Sequence, residues 1–153
     1  MIINTIITFI HRDLDAVIKE LEAYQSEENI WKIEKNILNS AGNLALHIVG
    51  NLNTFIGSNL GKTGYIRDRP LEFSDKNVPR STLIRKLEET KSVVESTLSN
   101  ISENQWIAPY PTDVPFPHRL LNDPSTEFFM VHLTSHLAYH LGQINYHRRL
   151  LDV

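Results

Sequence analysis

The chain has 153 residues, of which 41% are hydrophobic and 22% charged, so it can bury one hydrophobic core and is not disordered in composition. Its net charge of −3 offers no basic surface for nucleic acid or an anionic membrane. The absence of cysteine excludes disulfides, sulfur ligands to a metal and a cysteine nucleophile. No apolar run reaches the roughly 18 residues that a membrane span needs, so we expect a cytoplasmic protein with one domain, residues 1–153.

The first half of the chain predicts two helices and a long loop. Apolar residues recur at spacings of three or four from Ile3 to Leu21, which is typical of an amphipathic helix, and polar residues 26–29 end that pattern. A second helix is predicted from Asn39 to Leu60. It is apolar nearly all round, as is usual for a central helix. Residues 61–78 contain Gly64 and Pro70 and predict a long loop.

The second half predicts two more helices, separated by another long loop. Pro79 can begin a third helix whose inward residues are Leu83, Leu87, Val94 and Leu98. Prolines 109, 111, 115 and 117 exclude a helix through the segment that follows. Asp123 is the expected N-cap, and Pro124 the first turn, of a last helix that ends near Leu151. The expected fold is therefore an all-α four-helix bundle with two long loops.

Histidines form a stripe on the last helix. His132, His136 and His140 recur every four residues on a face shared with apolar side chains. Two histidines at this spacing can bind one metal ion, and a third ligand is then expected from a facing helix. His47 is the histidine of the second helix. The hypothesis is that His47, His136 and His140 hold one divalent metal, and the alternative is that they are ordinary core histidines.

Several polar residues accompany the three candidate ligands. Asn43 and Asn51 lie one turn to either side of His47, and Gln143 continues the stripe of the last helix. With His132, they are expected to orient ligands or line a pocket. The alternative for the amides is hydrogen bonding to the backbone or to neighbouring side chains. None of the acidic residues on the helix faces assigned to the metal is an obvious general base.

Other residues are candidates for binding substrate or for packing. Arg67 and Arg69 could bind a substrate carboxylate, because arginine presents a fork of donors. The alternative is a solvated loop or a salt bridge to a neighbouring acidic residue, either Asp68 or Glu72. Gly50 and Gly142 are expected to allow helices to approach closely, and His147, near the end of the last helix, is expected to favour the helix dipole or an interface.

Three segments of the sequence resemble the DinB-like (YfiT-like) superfamily. They are NSAGNLALHIVGN at 39–51, GYIRDRPLEF at 64–73 and HLTSHLAYHLGQI at 132–144. The resemblance covers almost the whole chain in order. It implies a four-helix bundle whose metal is held by one histidine of the second helix and two of the fourth, which are His47, His136 and His140 here. The chain departs from many members at Leu141, where they have arginine.

The resemblance also implies a range of activities. Relatives include S-transferases that use low-molecular-weight thiols such as bacillithiol, and the mycothiol-dependent maleylpyruvate isomerase. Three neutral ligands leave coordination positions open, and imidazole suits zinc, nickel, iron or copper, of which zinc or nickel is expected. The preferred hypothesis is a metal-dependent transferase that acts on a small molecule with a thiol cosubstrate. The alternatives are a metal-dependent hydrolase and a non-catalytic, ligand-binding stress protein, and the expected assembly is a homodimer.

Overall fold

The computed structural model describes residues 2–111 and 123–153, and the regular secondary structure in these ranges is helical. The α-helices are α1 (Ile2–Glu22), α2 (Ala41–Leu52), α3 (Arg69–Ser74), α4 (Arg80–Ser99), α5 (Glu103–Ile107) and α6 (Thr126–Leu151). A 3₁₀ turn covers Glu27–Trp31, and α2 continues into a π-helical turn, Asn53–Ser58. The predicted all-helical class is confirmed. None of the helices in these ranges combines the length and apolar character needed to cross a membrane.

The four longest helical segments pack around one hydrophobic core. Helix α1 packs against α4 and α6, and α2 packs against the same two helices, so the four form a closed ring. Helix α1 buries the stripe that its apolar spacing predicts, from Ile3 to Leu21. Every residue of α2 except Leu46 is buried, as expected for a central helix. This packing places the inner face of α2 opposite the histidine stripe of α6.

Both segments predicted as loops contain a short helix. Within 61–78, helix α3 begins where Asp68 accepts a hydrogen bond from the Leu71 amide, with Pro70 in the first turn. Within the second segment, α5 begins with a reciprocal capping box between Ser102 and Gln105. The prediction of loop was therefore wrong for these residues. Helices of five or six residues are too short to show an apolar period in the sequence. Pro115 and Pro117, which were expected to exclude a helix, lie outside the described residues.

The predicted start of the last helix was wrong by two residues. Ser125, not Asp123, is the N-cap of α6, and its hydroxyl accepts a hydrogen bond from the Phe128 amide. Asp123 has a φ of 54°, in the left-handed region, so it belongs to the turn that precedes the helix. The Thr126 amide donates to the Ala108 carbonyl, which fixes this turn beside the end of α5.

His147 has a structural role at the end of α6, so its prediction as a residue of the helix dipole or an interface was wrong. Its ring is buried. Because a backbone carbonyl can only accept, Nε2 of His147 donates to the Lys32 carbonyl at 2.8 Å, and Nδ1 then accepts from the Tyr24 hydroxyl at 2.6 Å. Asp152 accepts from the Gln25 amide at 2.7 Å. These contacts attach the end of α6 to the segment between α1 and α2.

The stability of the fold is expected to decrease on acidification, in part through His147. Burial lowers the pKa of His147, and the hydrogen bond to the Lys32 carbonyl opposes this shift only in part. An unfolded histidine titrates near about pH 6.5, so the unfolded chain binds more protons than the folded chain below that pH. The contribution of the neutral His147 ring is therefore fully present above about pH 6.5 and is lost as the pH falls.

Replacement of His147 by glutamine tests this contribution. We expect the urea midpoint to fall less steeply from pH 8 to pH 5 in His147→Gln than in the wild type, because glutamine does not titrate. At pH 8 the variant should lose about 1–3 kcal/mol of stability, since the buried Tyr24 hydroxyl loses its acceptor. Other histidines contribute to the pH dependence of the urea midpoint in both proteins, so the difference between wild type and variant reports on His147. An equal pH dependence in the two proteins would contradict the stabilising role of neutral His147.

Candidate metal centre

Three histidine side chains from two helices converge between α2 and α6. His47 comes from α2, and His136 and His140 come from α6. The centroid of the His47 ring lies 5.3 Å from that of His136 and 5.0 Å from that of His140, and the two α6 rings are 4.4 Å apart. One nitrogen from each ring lies within 4.8 Å of the others. The structure thus contains a histidine triad that could hold a metal ion.

The spacing of the α6 nitrogens matches the dimensions of a metal site. Residues four apart lie on one face of a helix, and here the Nε2 atoms of His136 and His140 are 3.1 Å apart. Two imidazole nitrogens on a tetrahedral zinc ion are separated by about 3.3 Å, given zinc–nitrogen bonds of about 2.0–2.1 Å. The donor set also fits, because three neutral imidazoles are ligands that zinc, nickel, iron and copper accept.

Hydrogen bonds at Nδ1 orient the rings of His47 and His140. Nδ1 of His47 lies 2.9 Å from Oε2 of Glu72, and Nδ1 of His140 lies 2.7 Å from Oε1 of Gln143. An ionised carboxylate and an amide oxygen can only accept, so both Nδ1 atoms carry the hydrogen, and Arg67 Nη2, which lies 3.3 Å from Nδ1 of His47, donates to Oε2 of Glu72 at 2.9 Å instead. The neutral form of each ring then has its lone pair on Nε2, the tautomer that is ready to bind a metal.

Glu72 is the important residue that the sequence interpretation missed as part of the site. Its buried carboxylate contacts His47 on one side and Arg67 on the other, where Oε1 accepts from Arg67 Nε at 2.6 Å and Oε2 from Nη2 at 2.9 Å. Burial alone would raise the pKa of Glu72, but the hydrogen bonds and charges of His47 and Arg67 outweigh it and lower the pKa. In the sequence, Glu72 is only one of two candidate salt-bridge partners, with Asp68, for Arg67 and Arg69. No spacing in the sequence relates it to the histidines.

The environment favours neutral histidine rings. Burial is the largest cause that lowers the pKa of His136, to about 3, and the neighbouring His140 and His47 lower it further. Burial also lowers the pKa of His140, against the opposing hydrogen bond to Gln143. The rings of His136 and His140 are therefore neutral at pH 7, and each has a lone pair that can bind a metal without the release of a proton.

Asn43, His132 and Asn51, which were also predicted to accompany the ligands, do not belong to the converging group of rings. Asn43 is buried, and its Nδ2 donates to the backbone carbonyls of Glu72 and Asp75, so it supports α3. The ring of His132 stacks on Phe129 and lies 6.2 Å from the ring of His136. Asn51 is buried one turn after His47. Within the described part of the chain its buried Oδ1 has no hydrogen-bond partner.

The two arginines proposed as substrate ligands both contact other side chains of the protein. Arg67 forms the salt bridge to Glu72, which is the alternative that the sequence left open. Arg69 is exposed, and its guanidinium lies 5.5 Å from the centroid of the Phe73 ring. Phe73 in turn packs against His47, with ring centroids 5.1 Å apart. Helix α3 and its flanks therefore cover one side of the triad.

The sequence matches no family model, and comparison with curated proteins and with solved structures gave no match either. The resemblance to the DinB-like superfamily is therefore supported only by the motifs around His47, residues 64–73 and His136. Any functional conclusion depends on the chemistry of the histidine triad and its partners.

Proposed function

We propose that the chain is a DinB-like four-helix bundle that binds one divalent transition metal, zinc or nickel, through His47, His136 and His140. The observation that carries this proposal is the convergence of the three rings: Nδ1 of His47 and of His140 each face a side-chain oxygen, and the Nε2 atoms of His136 and His140 face each other at 3.1 Å. The buried His147, which has a structural role, directs its two nitrogens to a hydroxyl and a backbone carbonyl, whereas the Nε2 atoms of His136 and His140 face another imidazole nitrogen.

We further propose that the metal centre is catalytic and that the protein transfers a low-molecular-weight thiol to a small electrophile. Three protein ligands leave at least one coordination position open, and His136 and His140 are only partly buried, which gives a small molecule access. A bound divalent cation would favour loss of the thiol proton to solvent and so the thiolate form of the cosubstrate. The thiolate sulfur would then bond to carbon of the electrophile as a halide ion leaves or as a C–O bond of an epoxide opens and its oxygen takes up a proton. The chain has no cysteine, so the sulfur must come from the cosubstrate.

The surrounding side chains support a thiol better than an activated water. Hydrolysis commonly uses a general base, but both carboxylate oxygens of Glu72 are bound to His47 and Arg67. The charges of Glu72 and Arg67 compensate each other, so the centre keeps the positive charge of its cation for an anionic thiolate.

Product formation against thiol concentration, with and without metal, tests the proposal. The assay combines bacillithiol or cysteine with an aryl halide or an epoxide. We expect turnover that requires thiol, saturates with its concentration, stops on chelation of the metal and returns on addition of zinc or nickel. Ester cleavage without thiol, inhibited by added thiol, would instead establish the hydrolase. Thermal stabilisation by a ligand without turnover would support the non-catalytic binding protein.

A further inference from the structure

Helix α3 buries one residue of its six, and that residue is charged. Glu72 is 6% exposed, whereas the apolar Leu71 beside it is 47% exposed. A short helix normally gains stability by burying apolar side chains, and an ionised carboxylate is costly to bury unless it is paired. Burying Glu72 instead of Leu71 is therefore difficult to explain by packing alone. Its contacts with His47 and Arg67 provide a different reason.

Three residues on one face of α2, each about one turn after the last, accommodate Glu72. Asn43 holds the backbone carbonyl of Glu72 at 2.9 Å, and His47 contacts the carboxylate. At Gly50 an added Cβ would lie only 2.0 Å from Oε1 of Glu72, so this position has room for the carboxylate only because it is glycine. These residues are spaced by four and three along the helix, which places them on one face.

We infer that Glu72 is a positioning residue that fixes His47 in the Nδ1–H tautomer and thereby presents Nε2 to the metal. Two hydrogen bonds from Arg67 hold the carboxylate in place, and Gly50 and Asn43 create its binding position on α2. The role in metal binding rests on the proposed metal centre. The role in fixing the tautomer does not, because the hydrogen bond involves only the side chains of Glu72 and His47. Hydrogen-bond partners of metal-binding histidines typically contribute about 10- to 100-fold to metal affinity.

Nitrogen-15 NMR of metal-free protein, labelled in histidine, tests the tautomer directly. The His47 signals, assigned by their loss in His47→Ala, should show a protonated Nδ1 and an unprotonated Nε2 in the wild type. In Glu72→Ala the signals should change to a mixture of tautomers. A wild-type His47 that carries its proton on Nε2 would overturn the inference, whether or not the protein binds a metal.

Competition for zinc with a chromophoric chelator tests the effect on the metal. We expect affinity to fall about 10- to 100-fold in Glu72→Ala and less in Glu72→Gln, which retains an oxygen acceptor for Nδ1. Glu95→Ala, an exposed position on α4, is the matched control and should bind like the wild type. Circular dichroism shows whether each variant is folded. The NMR test on the wild type remains valid even if a variant does not fold. Wild-type affinity in folded Glu72→Ala would contradict the inference, whereas a wild type without affinity for any divalent metal would contradict the proposed function.

Discussion

Alanine at any one of His47, His136 and His140 is expected to abolish stoichiometric metal binding while the helical circular dichroism spectrum is retained. Two imidazoles hold a divalent ion weakly, so each ligand is needed for full occupancy. His136 and His140 are only partly buried, and their removal should leave the apolar core intact. Elemental analysis of protein purified without a histidine tag gives the metal content per chain.

His132→Ala is the matched control for the triad variants. His132 also lies on α6 and is half-buried, and its ring is one turn away from His136, with 6.2 Å between centroids. It is not part of the converging group, so its replacement should weaken metal binding less than any triad variant does. If two of the three triad variants kept full metal occupancy, the ligand assignment would be wrong.

Alanine at Gly50 and at Gly142 should have opposite effects, although both glycines lie inside helices. Helix propensity alone predicts that each substitution stabilises the protein by about 0.5–1 kcal/mol. At Gly142 an added Cβ meets nothing within 4 Å, so stabilisation is expected there. At Gly50 the same Cβ would displace the Glu72 carboxylate. We expect Gly50→Ala to lose about 1–3 kcal/mol of stability and about 10-fold or more in metal affinity.

Urea unfolding and zinc competition, measured on both variants, check this pair. Because the chemical change is identical, any difference in sign comes from the surroundings of the two positions. A Gly50→Ala variant as stable and as tight in metal binding as Gly142→Ala would show that Glu72 can relocate without consequence. The surroundings of Gly142 also show that the expected close helix approach was wrong there, whereas at Gly50 the close neighbour is the side chain of Glu72.

The sequence was sufficient for features that repeat along one helix. The apolar period of residues 3–21 predicted the buried face of α1, and the four-residue spacing of His136 and His140 predicted that their rings would meet. His47 could be added because the apolar character of its helix required a central position, which faces α6. In the first two cases the geometry of one helix relates nearby residues, so the sequence contains the answer. The contact of His47 with His136 and His140 also required the packing of α2 against α6.

Features that depend on contacts between distant segments were decided only by the tertiary structure. Glu72 lies 25 positions from His47, in a six-residue helix with no apolar period, and only the folding of α3 onto α2 brings the two together. The tautomer of His47 and the pairing of Arg67 follow from that same contact. His147 likewise gained its partners from the segment after α1. Spacing along a helix specifies which side chains share a face, but the hydrogen-bond partner of a buried polar group is chosen by whichever segment packs against it.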